Sequence, residues 1–133
     1  MALYARFFAV LATFTAVTAS VAQANFRITR GNPTMEDGDA ETTDLVAGRL
    51  AYTGGGGDTS VSLIIRGSFD GTTWVDLKTV ALTGANPAAA NINETLDSWP
   101  FIAAELVVAG TAPTSIDGTV HFASSAKADL VAA

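Results

Sequence analysis

From Leu45 to Ala123 apolar and polar residues alternate in short runs, each run ended by a cluster of Gly, Pro, Asn or Asp, and no stretch carries an apolar stripe at helical spacing. A period of two belongs to strands with one buried face. Val46, Leu50 and Tyr52 share a face with Gly48. Val61, Leu63, Ile65 and Phe69 share one with Gly67, opposite Ser62, Arg66 and Ser68, and only Ile64 breaks the alternation. Val75 and Leu77 oppose Trp74, Asp76 and Lys78; Ile102, Ala104, Leu106 and Val108 oppose Phe101, Ala103, Glu105 and Val107. Ile116, Val120 and Phe122 oppose Asp117, Thr119 and His121, and a shorter strand is expected at Asn91–Leu96. About seven such strands joined by turn residues predict an all-β, antiparallel β-sandwich, jelly-roll or immunoglobulin-like, with an extended segment at its N-terminus.

One hundred and thirty-three residues suffice for one domain with its own core. Residues 45–123 are expected to form the sandwich and 124–133 a soft tail or a short helical turn. Residues 31–44 hold five carboxylates between Glu36 and Asp44 without apolar periodicity, which reads as an exposed acidic loop. An EF-hand starting at Asp37 would need Gly at its sixth position and an acid at its twelfth, where Thr42 and Gly48 stand. The run Gly54-Gly-Gly-Gly57-Asp58 reads as a flexible connection, because no Lys-Ser/Thr follows to make it a phosphate loop.

Two readings apply to residues 1–24. Arg6, the apolar run from Phe7 and the closing Ala22-Gln23-Ala24 fit a cleaved secretion signal. The same residues also fit an N-terminal arm, residues 1–30, whose β-branched and aromatic side chains would lie along a neighbouring subunit. The run is too short and too rich in Thr for a membrane span.

The chemistry open to the chain is narrow. With no cysteine and one histidine, disulfides, zinc clusters and Cys nucleophiles are excluded, and no metal or cofactor is expected. His121 lies on the polar face of an alternating strand, with no nucleophile turn or oxyanion loop in the sequence around it, so no catalytic residue is assigned. A net charge of −6 with seven scattered basic residues opposes nucleic-acid binding. Asn93-Glu94-Thr95 is a glycosylation sequon by pattern.

The aromatics carry more information. If Val75, Leu77, Ile102 and Leu106 face the core, then Trp74, Trp99 and Phe101 either face outward, where aromatics mark contacts with other molecules, or are returned to the core by a β-bulge or a strand-end position. Together with Tyr4, Phe7, Phe8 and Phe14 of the arm, they are the candidate interface residues. Between the strands ending at Ser68 and starting at Trp74, Asp70-Gly71 is expected to form the turn, with Gly71 accepting positive φ and Ser68 bracing it.

The run from Gly57 through Arg66-Gly-Ser-Phe-Asp-Gly-Thr-Thr-Trp-Val-Asp-Leu77, then Trp99-Pro-Phe-Ile-Ala and a closing Gly-Thr-Val-His-Phe strand, resembles small structural proteins of tailed bacteriophages. The resemblance covers roughly residues 44–123. It implies a virion component without enzymatic activity, a capsid decoration or cement protein or a subunit of a tail or fibre assembly, self-associating and bound to the major capsid protein or another virion protein. Ser68 to Trp74 is also similar to the Asp-box of sialidase-like propellers, one residue short, and to hairpins of discoidin-like and carbohydrate-binding sandwiches. The latter would make the chain a secreted bacterial glycan-binding or adhesion module.

Overall fold

Alternate placement of Val, Ile, Leu and Phe commits this chain to strands, and each strand buries its apolar side in one shared core. The structure, a computed structural model, describes residues 7–30 and 43–133. Their nine strands are β1 (Phe7–Val17), β2 (Val21–Arg30), β3 (Asp44–Thr53), β4 (Ser60–Ser68), β5 (Val75–Thr83), β6 (Ala90–Leu96), β7 (Phe101–Ala109), β8 (Ser115–Ser124) and β9 (Ala128–Ala132). No helix occurs among the described residues. A four-stranded sheet in the order β1-β8-β3-β6 packs on a five-stranded sheet in the order β5-β4-β7-β2-β9, all pairs antiparallel.

The pairing settles the topology. β4 pairs β5, β3 pairs β6, β2 pairs β7 and β1 pairs β8, so the chain is one long hairpin wrapped around a barrel axis, which is a jelly roll. β9 is added beyond it, along β2.

Between the sheets lie Val46, Leu50, Val61, Leu63, Ile65, Ile102, Leu106, Ile116, Val120 and Phe122, each almost fully buried. Among the described residues two ion pairs join the sheets at their margins. Arg30 on β2 grips the carboxylate of Asp44 on β3 with two hydrogen bonds, 3.2 and 2.6 Å. Lys78 on the edge strand β5 reaches Glu94 on the edge strand β6 at 3.6 Å.

Four expectations change. Residues 7–30 are not an arm apart from the sandwich, for β1 and β2 belong to its two sheets and Leu11, Phe14 and Ile28 lie in the core. Residues 124–133 contain a strand, because Asp129-Leu-Val-Ala132 continues the period of two and finds the open edge of β2. The glycine run is fixed: Gly54 N–H donates to Asn86 Oδ1, Gly55 N–H to Ala85 O and Gly56 N–H to Thr59 Oγ1. Finally, β5 carries a bulge at Leu77, since Ile65 pairs with Lys78 but Arg66 with Asp76. One extra residue shifts the phase of the strand. Val75 stands opposite Gly67, on the core side as expected, but as the first residue of the strand it is exposed, while Val80 and Leu82 are buried.

Candidate functional site

In a jelly roll the inner faces are consumed by the core, so what the molecule offers to others lies on its two outer faces and its two loop ends. The outer faces differ in kind.

On the five-stranded sheet Arg66 of β4 stands at the centre of a closed polar network. Its Nε donates to Asp76 Oδ1 at 2.7 Å on β5, and Nη1 donates to Glu105 Oε1 at 2.8 Å on β7 and to Gln23 Oε1 at 2.7 Å on β2. Gln23 in turn donates to Asn25 Oδ1 at 2.7 Å. The hydrogen bonds from Glu105 and then Asp76 raise the guanidinium above its ordinary pKa. Charges that already satisfy one another gain little from a partner, so the part of this face around Arg66 suits water, while Val107 and Val131 stand exposed elsewhere on it.

On the four-stranded sheet the outer face is apolar at the end formed by Phe8, Val10, Leu45, Ala47 and Ala123, and polar beyond it at Arg49, Asp117, Thr119 and His121. Phe8 is 67% exposed and Val10 52% exposed. The register places Phe8 beside Ala123, and Val10 beside His121, which has Ala47 on its other side. Phe8, Leu45, Ala47, His121 and Ala123 line an open depression of about 490 Å³. Ala123 is buried although it points outward. Phe8 and Leu45, its register neighbours, flank it.

Among the described residues the cross-strand neighbours of His121 are Val10 and Ala47, neither of them acidic. The carboxylate of Asp117 is occupied, with Oδ1 accepting Ala16 N–H and Oδ2 accepting Ser115 Oγ–H. No cluster of three His, Asp or Glu able to hold a metal occurs among the described residues. None of their helices could cross a membrane, for there are none.

At one loop end the β4–β5 and β6–β7 connections bring the aromatics together. Trp99 is half-buried against Gly67, and Phe69 stacks on it with ring centroids 4.5 Å apart and planes tilted by 34°. Phe69 lies past the end of β4 and is 72% exposed, not inward with Leu63 and Ile65. Phe101 is half-buried, its ring beside Gly71. Trp74 is half-buried just ahead of β5. The loop between them is rigidly braced. Asp70 Oδ1 accepts Thr72 N–H and Thr73 N–H, each at 2.8 Å, and Ser68 Oγ–H at 3.0 Å, while Ser68 Oγ accepts Gly71 N–H at 2.9 Å. Those donors hold the Asp70 carboxyl far below the usual carboxylate range, the amides of Thr73 and Thr72 foremost. Gly71 has φ +80°.

The proposed interface residues thus separate. Phe14 is core, Phe7 is half-buried, Phe8 is on the apolar face, and Trp74, Trp99 and Phe101 belong to the loop end. Tyr4 and the acidic loop from Gly31 to Thr42, with the calcium reading placed on it, lie outside the described residues. The sequence did signal the apolar face: Leu45 and Ala47 are apolar at the outward positions of an alternating strand. The Arg66 network carried no such signal, because its members come from four strands.

No protein-family model matches the sequence, and no curated protein matches it. Among solved structures, the chain is similar to one of infectious bursal disease virus, Gx strain, with 17% identity and a TM-score of 0.47, over 90% of this chain and 32% of that one. It therefore spans about a third of the length of that viral chain. It is also similar to a chain of the empty virus-like particle of Cowpea Mosaic Virus, with 13% identity and a TM-score of 0.45, over 100% of this chain and 86% of that one. At such identities a shared fold says nothing of a shared role.

Proposed function

We propose that the protein is a non-enzymatic structural subunit of a phage virion that decorates or cements the capsid, self-associating and turning the outer face of its four-stranded sheet toward the shell. The observation that carries this reading is the contrast between the two outer faces. One is apolar around Phe8, Val10, Leu45 and Ala47; the other is a network in which Arg66, Asp76, Glu105 and Gln23 satisfy each other. A sandwich with an apolar patch on one outer face and a self-satisfied polar network on the other is suited to lie on something through the patch. Its contribution is interface area, in the range of ~800 Å² per partner that stable contacts need. That the shell is a phage's rests on the sequence resemblance of residues 44–123 to tailed-phage structural proteins alone.

Jelly rolls serve as capsid proteins, lectins and cupins, so the topology alone selects none of these. A second reading, a secreted glycan-binding module, is favoured by the ledge that the exposed Phe69 forms with Trp99, since aromatic faces stack on sugar rings.

Quantitative mass spectrometry of purified particles tests the first reading. The expected result is the chain at a fixed, high copy number on filled capsids, lost when Leu45→Glu and Ala47→Glu are introduced together. Absence from particles, with saturable binding of the free protein to an oligosaccharide that perturbs Trp99 fluorescence, would establish the second.

A further inference from the structure

The chain has one histidine, His121, and β8 sets it on the outer face at the border of the apolar patch. It lines the depression there together with Phe8, Leu45, Ala47 and Ala123. Its side chain is exposed and open to solvent in the free molecule. Histidine is the side chain whose charge ordinarily changes between pH 5 and 8, whereas a carboxylate titrates in a far more acidic medium. Phe8, Val10, Leu45, Ala47 and Ala123 carry no ionisable side chain, so a change of charge within the patch falls to His121.

What faces His121 decides what its proton does. From β1 it meets Val10 and from β3 Ala47, while Phe8 and Leu45 flank Ala123 two positions along β8. No residue of β1 is charged. On β3 the charged residue of this face is Arg49, opposite Thr119, and it has the same sign as an imidazolium; Asp44 is buried and bound to Arg30. Beyond β3 the outward residues of β6 are Asn91, Asn93 and Thr95, all uncharged, and Glu94 pairs with Lys78. The acid on β8 itself is Asp117, four residues away, or roughly 13 Å at strand spacing. Both its oxygens already accept hydrogen bonds, from Ala16 N–H and Ser115 Oγ–H. Among the described residues a protonated His121 therefore has no carboxylate to answer it.

We infer that His121 makes docking through this patch dependent on pH: as a neutral ring it is covered along with its apolar neighbours, and as a cation it releases the chain from the surface it lies on. Covering the patch takes the imidazole out of water. An unpaired imidazolium then loses its hydration with nothing to replace it, and Arg49 on the same face adds repulsion, whereas the neutral ring carries no such penalty. Cover thus favours the neutral ring, and in acid each copy that leaves takes up one proton. Binding is complete above the pH at which the free imidazole titrates, ordinarily about 6.5, and falls by up to about tenfold for each pH unit below it. The inference rests on the docking proposed above, in which this face meets the shell, and adds what controls it.

Release from purified particles tests it, with His121→Phe as a ring that cannot titrate and His121→Lys as a side chain charged throughout. Position 121 is exposed, and circular dichroism with thermal melting verifies the fold of each variant. Particles are equilibrated over a dilution series at pH 7.5 and at pH 5.5 and pelleted, and mass spectrometry measures the chain left on them. The wild type is expected to bind about tenfold more weakly at pH 5.5. His121→Phe should bind alike at both values, and His121→Lys weakly at both. A wild type that stays bound at pH 5.5, a His121→Phe variant released along with it, or a His121→Lys variant that binds like the wild type at pH 7.5 overturns the inference and leaves the docking reading in place. A chain missing from particles already at pH 7.5 overturns the docking reading and the switch with it.

Discussion

Trp99 lies against Gly67 so closely that a β-carbon at position 67 would stand 2.5 Å from Cδ2 of its indole. Gly67 is on β4 and Trp99 ahead of β7, so the contact closes the aromatic loop end over neighbouring strands. Gly67→Ala forces the indole out or the strands apart, and overpacking of this kind costs ~1–3 kcal/mol. Urea denaturation should show that loss, with Phe69 more mobile as its stacking partner shifts. An unchanged midpoint would mean that Trp99 is free to swing clear and is not part of the fold.

Phe14 and Phe69 make an internal control for which aromatics hold the fold. Phe14 is 6% exposed in the core and Phe69 72% exposed at the loop end. Truncating a buried Phe costs ~3–5 kcal/mol, whereas an exposed site away from such features stays within ~0.5 kcal/mol. Phe14→Ala should therefore lower the melting temperature by many degrees and Phe69→Ala hardly at all. Equal losses would place both rings in one packed unit.

The strands from Leu45 to Phe122 were legible because each has one face in the core and one outside, and the period of two is the direct trace of that. Topology was not, since the order β1-β8-β3-β6 depends on which edges meet and no spacing records it. The N-terminal strands were obscured for a specific reason. β1 is apolar on both sides, with Phe8 and Val10 outside and Leu11 and Phe14 inside, so it carries the composition of an arm or a signal and not the pattern of a half-buried strand. At the candidate site, parity could not place Trp74, which stands ahead of β5 and not in it, and is half-buried.

Arg30 and Asp44 hold together the two strands that flank residues 31–43. Asp44 is fully buried and accepts both guanidinium bonds. Removing one partner of such a pair leaves an uncompensated charge, and Asp44→Ala should cost ~3–5 kcal/mol. Replacing both, as Arg30→Met with Asp44→Leu, should restore most of it, because the desolvation of the two ions is then avoided. A double-mutant cycle by chemical denaturation measures the coupling, and additive losses would mean that the two residues act separately.

Asp70 sets how the loop end responds to acid. Its folded pKa lies below the unfolded value near ~3.9, because Thr73 N–H, Thr72 N–H and Ser68 Oγ–H all favour the ionised carboxylate. The unfolded chain therefore takes up a proton first. Stability from this group is complete above about pH 5 and is lost as the pH falls below ~4 toward the depressed folded value. Asp70→Asn keeps an oxygen for the two amides but cannot titrate. Melting temperatures measured from pH 6 down to pH 2 should fall more steeply in the wild type than in Asp70→Asn, so that the gap between them narrows with acid. Parallel curves would show that the carboxylate charge contributes nothing to the turn.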